Sequence, residues 1–222
     1  MIAEPVSFNE KDESSIKEAV SKRQPLDFFC YTLDAEQKER FQKILKIFLD
    51  ACDQDYLYSY LSYCLLELLD NASKANSKRI FFKEHKLDIN NQDDYKNGMK
   101  AFKEDLSENP NHYLHELEEG LLHVHLQLSI NDVISIRVSN NTRITNQEYN
   151  RIQEKINKTR DYNDMSDAFA DIDQTEGSGL GIITVIIMLK KLGLDNQNLK
   201  FQITDTETIA TIEIPKDSLM EI

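Results

Sequence analysis

Positive charge is what this sequence has too little of: 26 Lys and Arg stand against 39 Asp and Glu, a formal charge of −13. A surface built to hold duplex DNA or an anionic membrane is therefore not expected. No apolar run approaches the roughly 20 residues that a membrane span needs. The opening Met1-Ile2-Ala3-Glu4-Pro5 lacks the charged-then-apolar layout of a secretion signal, which points to a cytoplasmic protein. Cysteines are few, and the scatter of Cys30, Cys52 and Cys64 suits neither a disulfide frame nor a zinc site. The Gly-Lys-Ser/Thr of a P-loop is missing, as are a dinucleotide-type Gly-x-Gly-x-x-Gly and any internal repeat. A chain of 222 residues suffices for one main domain with an elaboration.

What is present divides cleanly along the chain. Residues 1–26 are polar and charged, predicting a loosely docked arm with a helix around Ser14 to Lys22. Asp27 to Leu33 has strand composition, and Asp34 is placed to cap a helix from Ala35 to about Ala51. Leu57, Leu61, Cys64, Leu65, Leu68 and Ala72 recur at helical spacing and predict a second helix from about Asp55 to Asn76. Arg79-Ile80-Phe81-Phe82-Lys83 reads as a strand. The polar residues 84–120 read as an insertion on one side of the sheet, with a helix from Asp94 to Leu106 broken at Asn109-Pro110.

Leu122, Val124, Leu126 and Leu128 alternate with polar residues, as do Ile134, Ile136 and Val138 beyond Asn131-Asp132, predicting an antiparallel hairpin with one buried face. That alternation makes His123 and His125 the polar face of a strand more readily than a metal site. Residues 142–176 are polar and too long for an ordinary connection, as lids often are. Arg151, Lys155, Lys158 and Arg160 supply cations there that suit either phosphate contact or a solvated helix face. An apolar helix from Ile182 to about Leu192, a stop at Gly193 and two strands around Phe201–Thr204 and Ile209–Ile214 close the chain.

Half of the six glycines lie in Gly177-Ser178-Gly179-Leu180-Gly181, directly before that apolar helix. Glycines let backbone approach a phosphate, and the free N–H groups and positive end of a helix N-terminus stabilise the anion, so a polyphosphate site is the direct reading and a plain helix-start turn the bland one. Glu67 and Asn71 are four residues apart on one predicted helix and project to one side, where their oxygens suit a hydrated magnesium ion and a water. Lys74 follows within reach of phosphate oxygens; a solvated helix face is the alternative for all three.

Leu66-Glu67-Leu68-Leu69-Asp70-Asn71-Ala72-Ser73-Lys74-Ala75 resembles the N box of the GHKL ATPase superfamily, and Thr175 to Ile182 resembles its second glycine box, in matching order and separation. The resemblance implies an α+β fold: a Bergerat-type sandwich of a mostly antiparallel, mixed sheet with helices on one face, here with a helical insertion. It covers most of residues 27–215 within a domain of 27–222, and makes 142–176 the ATP lid. It implies ATP and magnesium as ligands, with Asn71 on the metal, Lys74 on phosphate, and the backbone of Gly177, Ser178, Gly179, Leu180 and Gly181 over the triphosphate.

Where the family carries Asp-x-Gly-x-Gly to read adenine, this chain has Asn140-Asn141-Thr142-Arg143-Ile144, and Asn140 is the replacement acceptor. Thr208 resembles the threonine set beside the base. Glu67 matches the general base of gyrase-type ATPases and of anti-sigma-factor serine kinases, and the short lead-in is closest in layout to the latter. The implied function is a Mg-ATP-binding regulatory protein, a serine/threonine kinase or an ATPase acting on a protein partner, with a homodimer compatible. The alternative is an ATP-dependent interaction module without phosphotransfer. No acceptor histidine lies in residues 35–76, which argues against a stand-alone histidine kinase.

Overall fold

The computed structural model describes residues 10–159 and 180–215, together with Tyr162, Asp164, Ser166 and Asp167. In chain order its elements are α1 (Glu10–Ser21), β1 (Leu26–Cys30), α2 (Ala35–Ala51), α3 (Tyr58–Glu84), α4 (Gln92–Glu108), α5 (Pro110–Glu119), β2 (Val124–Ile130), β3 (Val133–Asn140), α6 (Asn146–Lys158), α7 (Leu180–Lys191), β4 (Leu199–Ile203) and β5 (Thr208–Pro215). The fold is α+β, with one five-stranded sheet in the order β1-β2-β3-β5-β4. Every pairing in it is antiparallel, so the parallel component of a mixed sheet is not found among the described strands.

Period-two patterning sorts the strands by face. On β2, Val124, Leu126, Leu128 and Ile130 are buried, while His125 and Gln127 turn the other way and both bond to Asp27 of β1. The apolar face is covered by α2, α3 and α7, whose Phe41, Leu45, Leu65, Leu69, Ile186 and Leu189 share one core with it. Each large side chain buried in this way contributes about 1.5–3 kcal/mol. Asp34 caps α2 as expected, accepting from Gln37 N at 2.8 Å. Gly193, at φ 72°, ends α7 in the left-handed conformation that its lack of a Cβ permits.

Two further expectations need correction. Residues 10–21, read as part of a loosely docked arm, form α1, which packs on α2 and places Ile16 and Val20 in the main core; their four-residue spacing makes one apolar stripe on an otherwise charged helix. Arg79–Lys83, read as a strand, is the last stretch of α3, which runs unbroken to Glu84. Ile80, Phe81 and Phe82 are all buried because α4 and α5 cover this end of α3 on the sides that the sheet leaves open. The insertion accordingly shares a second core with the end of α3, built from Phe81, Phe82, Tyr95, Phe102, Tyr113 and Leu117. No helix among the described residues is long and apolar enough to cross a membrane.

Candidate functional site

A cavity of about 720 Å³ opens between α3, α4, α6, the first turn of α7 and the neighbouring ends of β3 and β5. Glu67, Asn71 and Lys74 reach it from successive turns of α3, Gly181 from α7, Asn140 from β3 and Thr208 from β5. The site residues expected from sequence that fall on described positions therefore meet in one place. Gly177, Ser178 and Gly179 lie outside the described residues, and of Leu180 only the backbone, opening α7, is described.

Contact between α3 and α7 is close. A Cβ added at Gly181 would sit 2.5 Å from Glu67 Oε2 and 3.3 Å from Asn71 Nδ2, so the backbone of α7 reaches these two side chains only because residue 181 has no side chain. The Glu67 carboxylate is half-buried and has no hydrogen-bond or ion-pair partner among the described residues. Burial, reinforced by the neighbouring charge of Asp70, raises its pKa above the ordinary carboxylate value, against smaller opposing effects of Lys74 and Lys38. Asn71 is exposed and also unpartnered, leaving its carboxamide oxygen available to a cation. Lys74 pairs with Asp70, one turn back on α3.

At the sheet end, a chain of hydrogen bonds fixes Asn140, which is 4% exposed. Asn76, wholly buried on α3, donates to the His123 carbonyl at 3.0 Å, which commits its amide nitrogen. Its oxygen accepts from Asn140 Nδ2 at 3.1 Å and from Thr142 Oγ1 at 2.8 Å. Asn140 Nδ2 also donates to Thr142 Oγ1 at 2.7 Å. The amide nitrogen of Asn140 is thereby tied inward. Its Oδ1 has no partner, and since no enclosed side-chain polar atom lacks one among the described residues, that oxygen opens onto the cavity as an acceptor. Thr208, opposite Asn140 in the register, donates to the Thr142 carbonyl at 2.8 Å and accepts from Ile144 N at 2.9 Å. Its hydroxyl proton is thus committed to holding the loop after β3.

Sequence reasoning missed an ionic cluster beside the cavity. Glu148 Oε1 lies 2.6 Å from Lys78 Nζ and its Oε2 2.6 Å from Arg79 Nη2, with the carboxylate side chain 9% exposed. Burial by itself raises the pKa of Glu148, but the two cations outweigh it and hold the carboxyl far below the usual range. Glu148 is also the third residue of a capping box with Thr145 at the start of α6, so one side chain fixes the entry of α6 and ties it to α3. The Thr145-x-x-Glu148 spacing was the available signal. Asn76 was legible as well, as the polar residue that continues the apolar row of Leu65, Leu68 and Ala72.

Of the lid cations named from sequence, Arg151 and Lys155 line the cavity, Lys158 does not, and Arg160 lies outside the described residues. Arg151 stands 4.6 Å over the ring of Tyr95 on α4. His125 bonds to Asp27 at 2.7 Å and stacks on Phe29, so the His-x-His pair belongs to the polar sheet face. Six cationic side chains line the cavity (Lys74, Lys78, Arg79, Lys103, Arg151 and Lys155) against three carboxylates, Glu67, Asp70 and Glu148. In a chain of net charge −13 that local excess marks a place for an anion.

Comparison with known proteins adds no activity. The chain matches no family model and no solved structure. It is 36% identical over 208 residues to an uncharacterized protein of Treponema pallidum (strain Nichols). That alignment takes in 93% of this chain and 40% of the other, so the chain spans well under half of its relative's length.

Proposed function

We propose that the cavity is a Bergerat-type nucleotide site that binds Mg-ATP, and that the protein is a cytoplasmic regulatory ATPase or serine/threonine kinase of the GHKL kind. One observation carries this reading: Glu67, Asn71, Lys74, Asn140, Gly181 and Thr208, spread over most of the chain, line one cavity with an excess of cations. Residues of these types suit a nucleotide. The Oδ1 of Asn140 suits a hydrogen bond from the exocyclic amine of adenine, and the start of α7, where a helix leaves its first N–H groups without intrahelical partners, suits phosphate. The carboxamide of Asn71 holds magnesium, which when bound supplies charge neutralisation on the phosphate oxygens.

Glu67 is the general base in this reading. It takes the proton from the attacking oxygen, of a water or of a partner's serine hydroxyl, as that oxygen bonds to the γ-phosphorus and the bond to the β-γ bridging oxygen breaks, leaving ADP. Its raised pKa suits the task, because a more basic carboxylate accepts that proton more readily. Lys74 and the cations on α6 offset charge on the transferred group.

A second reading, an ATP-dependent interaction module without phosphotransfer, is favoured by the wall that α4 of the insertion lends to the cavity. Calorimetry with ATP and magnesium, joined to a turnover assay, separates the two. Wild type is expected to bind saturably and Asn71→Ala to lose the magnesium-dependent part. Glu67→Ala is expected to keep binding while turnover falls by about 10²–10⁴-fold. Binding with no turnover in wild type selects the interaction module; no binding in wild type rejects the nucleotide site.

A further inference from the structure

The nucleotide reading employs α3, α6, α7 and the sheet, and leaves α4 without a role. Helix α4 nonetheless presents Met99, Lys103 and Leu106 to the cavity, a repeat of four and three residues that forms one stripe on one helix face. The helix is firmly seated. Phe102, beside Lys103, is 3% exposed and packs edge-on against Phe81 and Tyr113, with ring centroids 5.6 and 6.3 Å apart. Tyr113 donates its hydroxyl proton to Asp105 of the same helix. The direction in which Lys103 leaves the helix is thus fixed by a packed core.

Lys103 stands apart from the other cations around the cavity. Lys74 is paired with Asp70, Lys78 and Arg79 are held by Glu148, Arg151 lies on the Tyr95 ring, and Lys155 is likewise engaged. Lys103 is exposed and has no hydrogen-bond or ion-pair partner among the described residues. Lys17, Lys22 and Lys46 each find a carboxylate four residues away, in Glu13, Glu18 and Asp50, whereas Lys83, Lys96 and Lys100 share with Lys103 the lack of an ion-pair partner among the described residues; of these four, Lys103 is the one that lines the cavity. The corresponding neighbours of Lys103 are Met99, Lys100, Leu106 and Ser107, none of them acidic. A lysine directed at a cavity by a rigid helix and left without a counter-ion is available to an anion brought by a ligand.

We infer that Lys103 is a phosphate ligand of the nucleotide site, so that the 84–120 insertion is part of the binding machinery. The inference rests on the nucleotide reading and adds a contact that neither the N box nor the glycine box supplies.

The test is calorimetry on the full chain, with ATP, ADP and adenosine in the presence of magnesium, comparing wild type, Lys103→Met, Lys103→Arg and Asn71→Ala. Loss of one charge-assisted contact is expected to weaken ATP binding to Lys103→Met about tenfold. Adenosine affinity is expected to be unchanged, and Lys103→Arg to recover most of the loss. ATP binding by Lys103→Met within about twofold of wild type, while Asn71→Ala is weakened, overturns this inference and leaves the nucleotide site standing. An equal loss for adenosine and ATP also overturns it, by assigning Lys103 a structural role. No ATP binding by wild type removes the nucleotide site and this inference together.

Discussion

Gly181 matters for what it leaves room for. Alanine at this position adds a methyl group that meets Glu67 Oε2 at 2.5 Å, well inside contact distance, but the atom it meets is the free end of a flexible side chain. The carboxylate can swing aside, so Gly181→Ala is expected to change unfolding free energy by less than about 1 kcal/mol, helped by alanine's better helix propensity. The same swing moves the proposed base off its target, and turnover is expected to drop about tenfold or more, since small misplacements of a reacting group are costly. Thermal melts and a phosphate-release assay on one preparation check both halves. A variant with wild-type turnover would show that the position of Glu67 does not limit the reaction. Residues 140 and 76 carry a related lesson: Asn140 was legible from sequence as an acceptor, but which of its atoms faces the cavity depends on Asn76, 64 positions away.

Elements with a single covered face were legible in the sequence, and of those covered on two sides α7 was legible while the end of α3 was not. Helix α2, β2 and β3 each show the period of their structure, because one face meets the core and the other turns towards water, whereas α7 was legible as an apolar run with a glycine stop, its residues 181–189 being buried or half-buried throughout. Helix α3 keeps its pattern as far as Ala72 and then loses it, since from Ile80 to Phe82 three consecutive side chains are buried, shared between the sheet side and the α4–α5 side. Three adjacent apolar residues look like a strand when the partner that buries them comes from a later, polar-looking segment. The candidate site followed the same rule: Glu67, Asn71, Lys74 and Gly181 stand in local motifs and could be read, whereas the wall from α4 and the Glu148 cluster exist only through tertiary contact. Gly98 is where α4 meets α3 most tightly, with an added Cβ 2.7 Å from Phe82 Cζ and 3.1 Å from Leu87 Cδ1. Gly98→Ala gains about 1 kcal/mol of helix propensity and incurs about 1–3 kcal/mol of overpacking, for an expected net loss of about 1 kcal/mol. Because the core under the insertion is separate from the one that holds β2 and β3, amide exchange is expected to quicken across α4 and α5 and to stay at wild-type rates in those two strands. Equal acceleration in the sheet would mean that the two cores open as one unit.

Charge acts on the molecule as a whole, and three contributions to its pH dependence differ in sign. At pH 7 the net charge is −13 and the isoelectric point is about 4.8, so self-repulsion relaxes as pH falls towards that value. Glu67 has a folded pKa raised by burial; its protonated form favours the folded state below the unfolded value of 4.5, and this contribution is lost as pH rises through the raised folded pKa. Both contributions favour mildly acidic solution. Glu148 opposes them at the acid end: its folded pKa is depressed below the unfolded 4.5, so the ion pairs with Lys78 and Arg79 stabilise fully above that value and fail as pH falls through the folded pKa. Stability is therefore expected to peak at about pH 5–6 and to decline on both sides. Melting temperatures of dilute protein from pH 3.5 to 8.5 read this curve directly. Added salt is expected to raise the melting temperature more at pH 8 than at pH 5.5, because it screens the repulsion that grows with net charge. Glu148→Gln leaves two half-buried cations without their carboxylate, costs about 3 kcal/mol near the optimum, and is expected to flatten the acid limb alone. A melting temperature that climbs steadily from pH 5.5 to 8.5 in both proteins would mean that neither self-repulsion nor Glu67 governs the alkaline side.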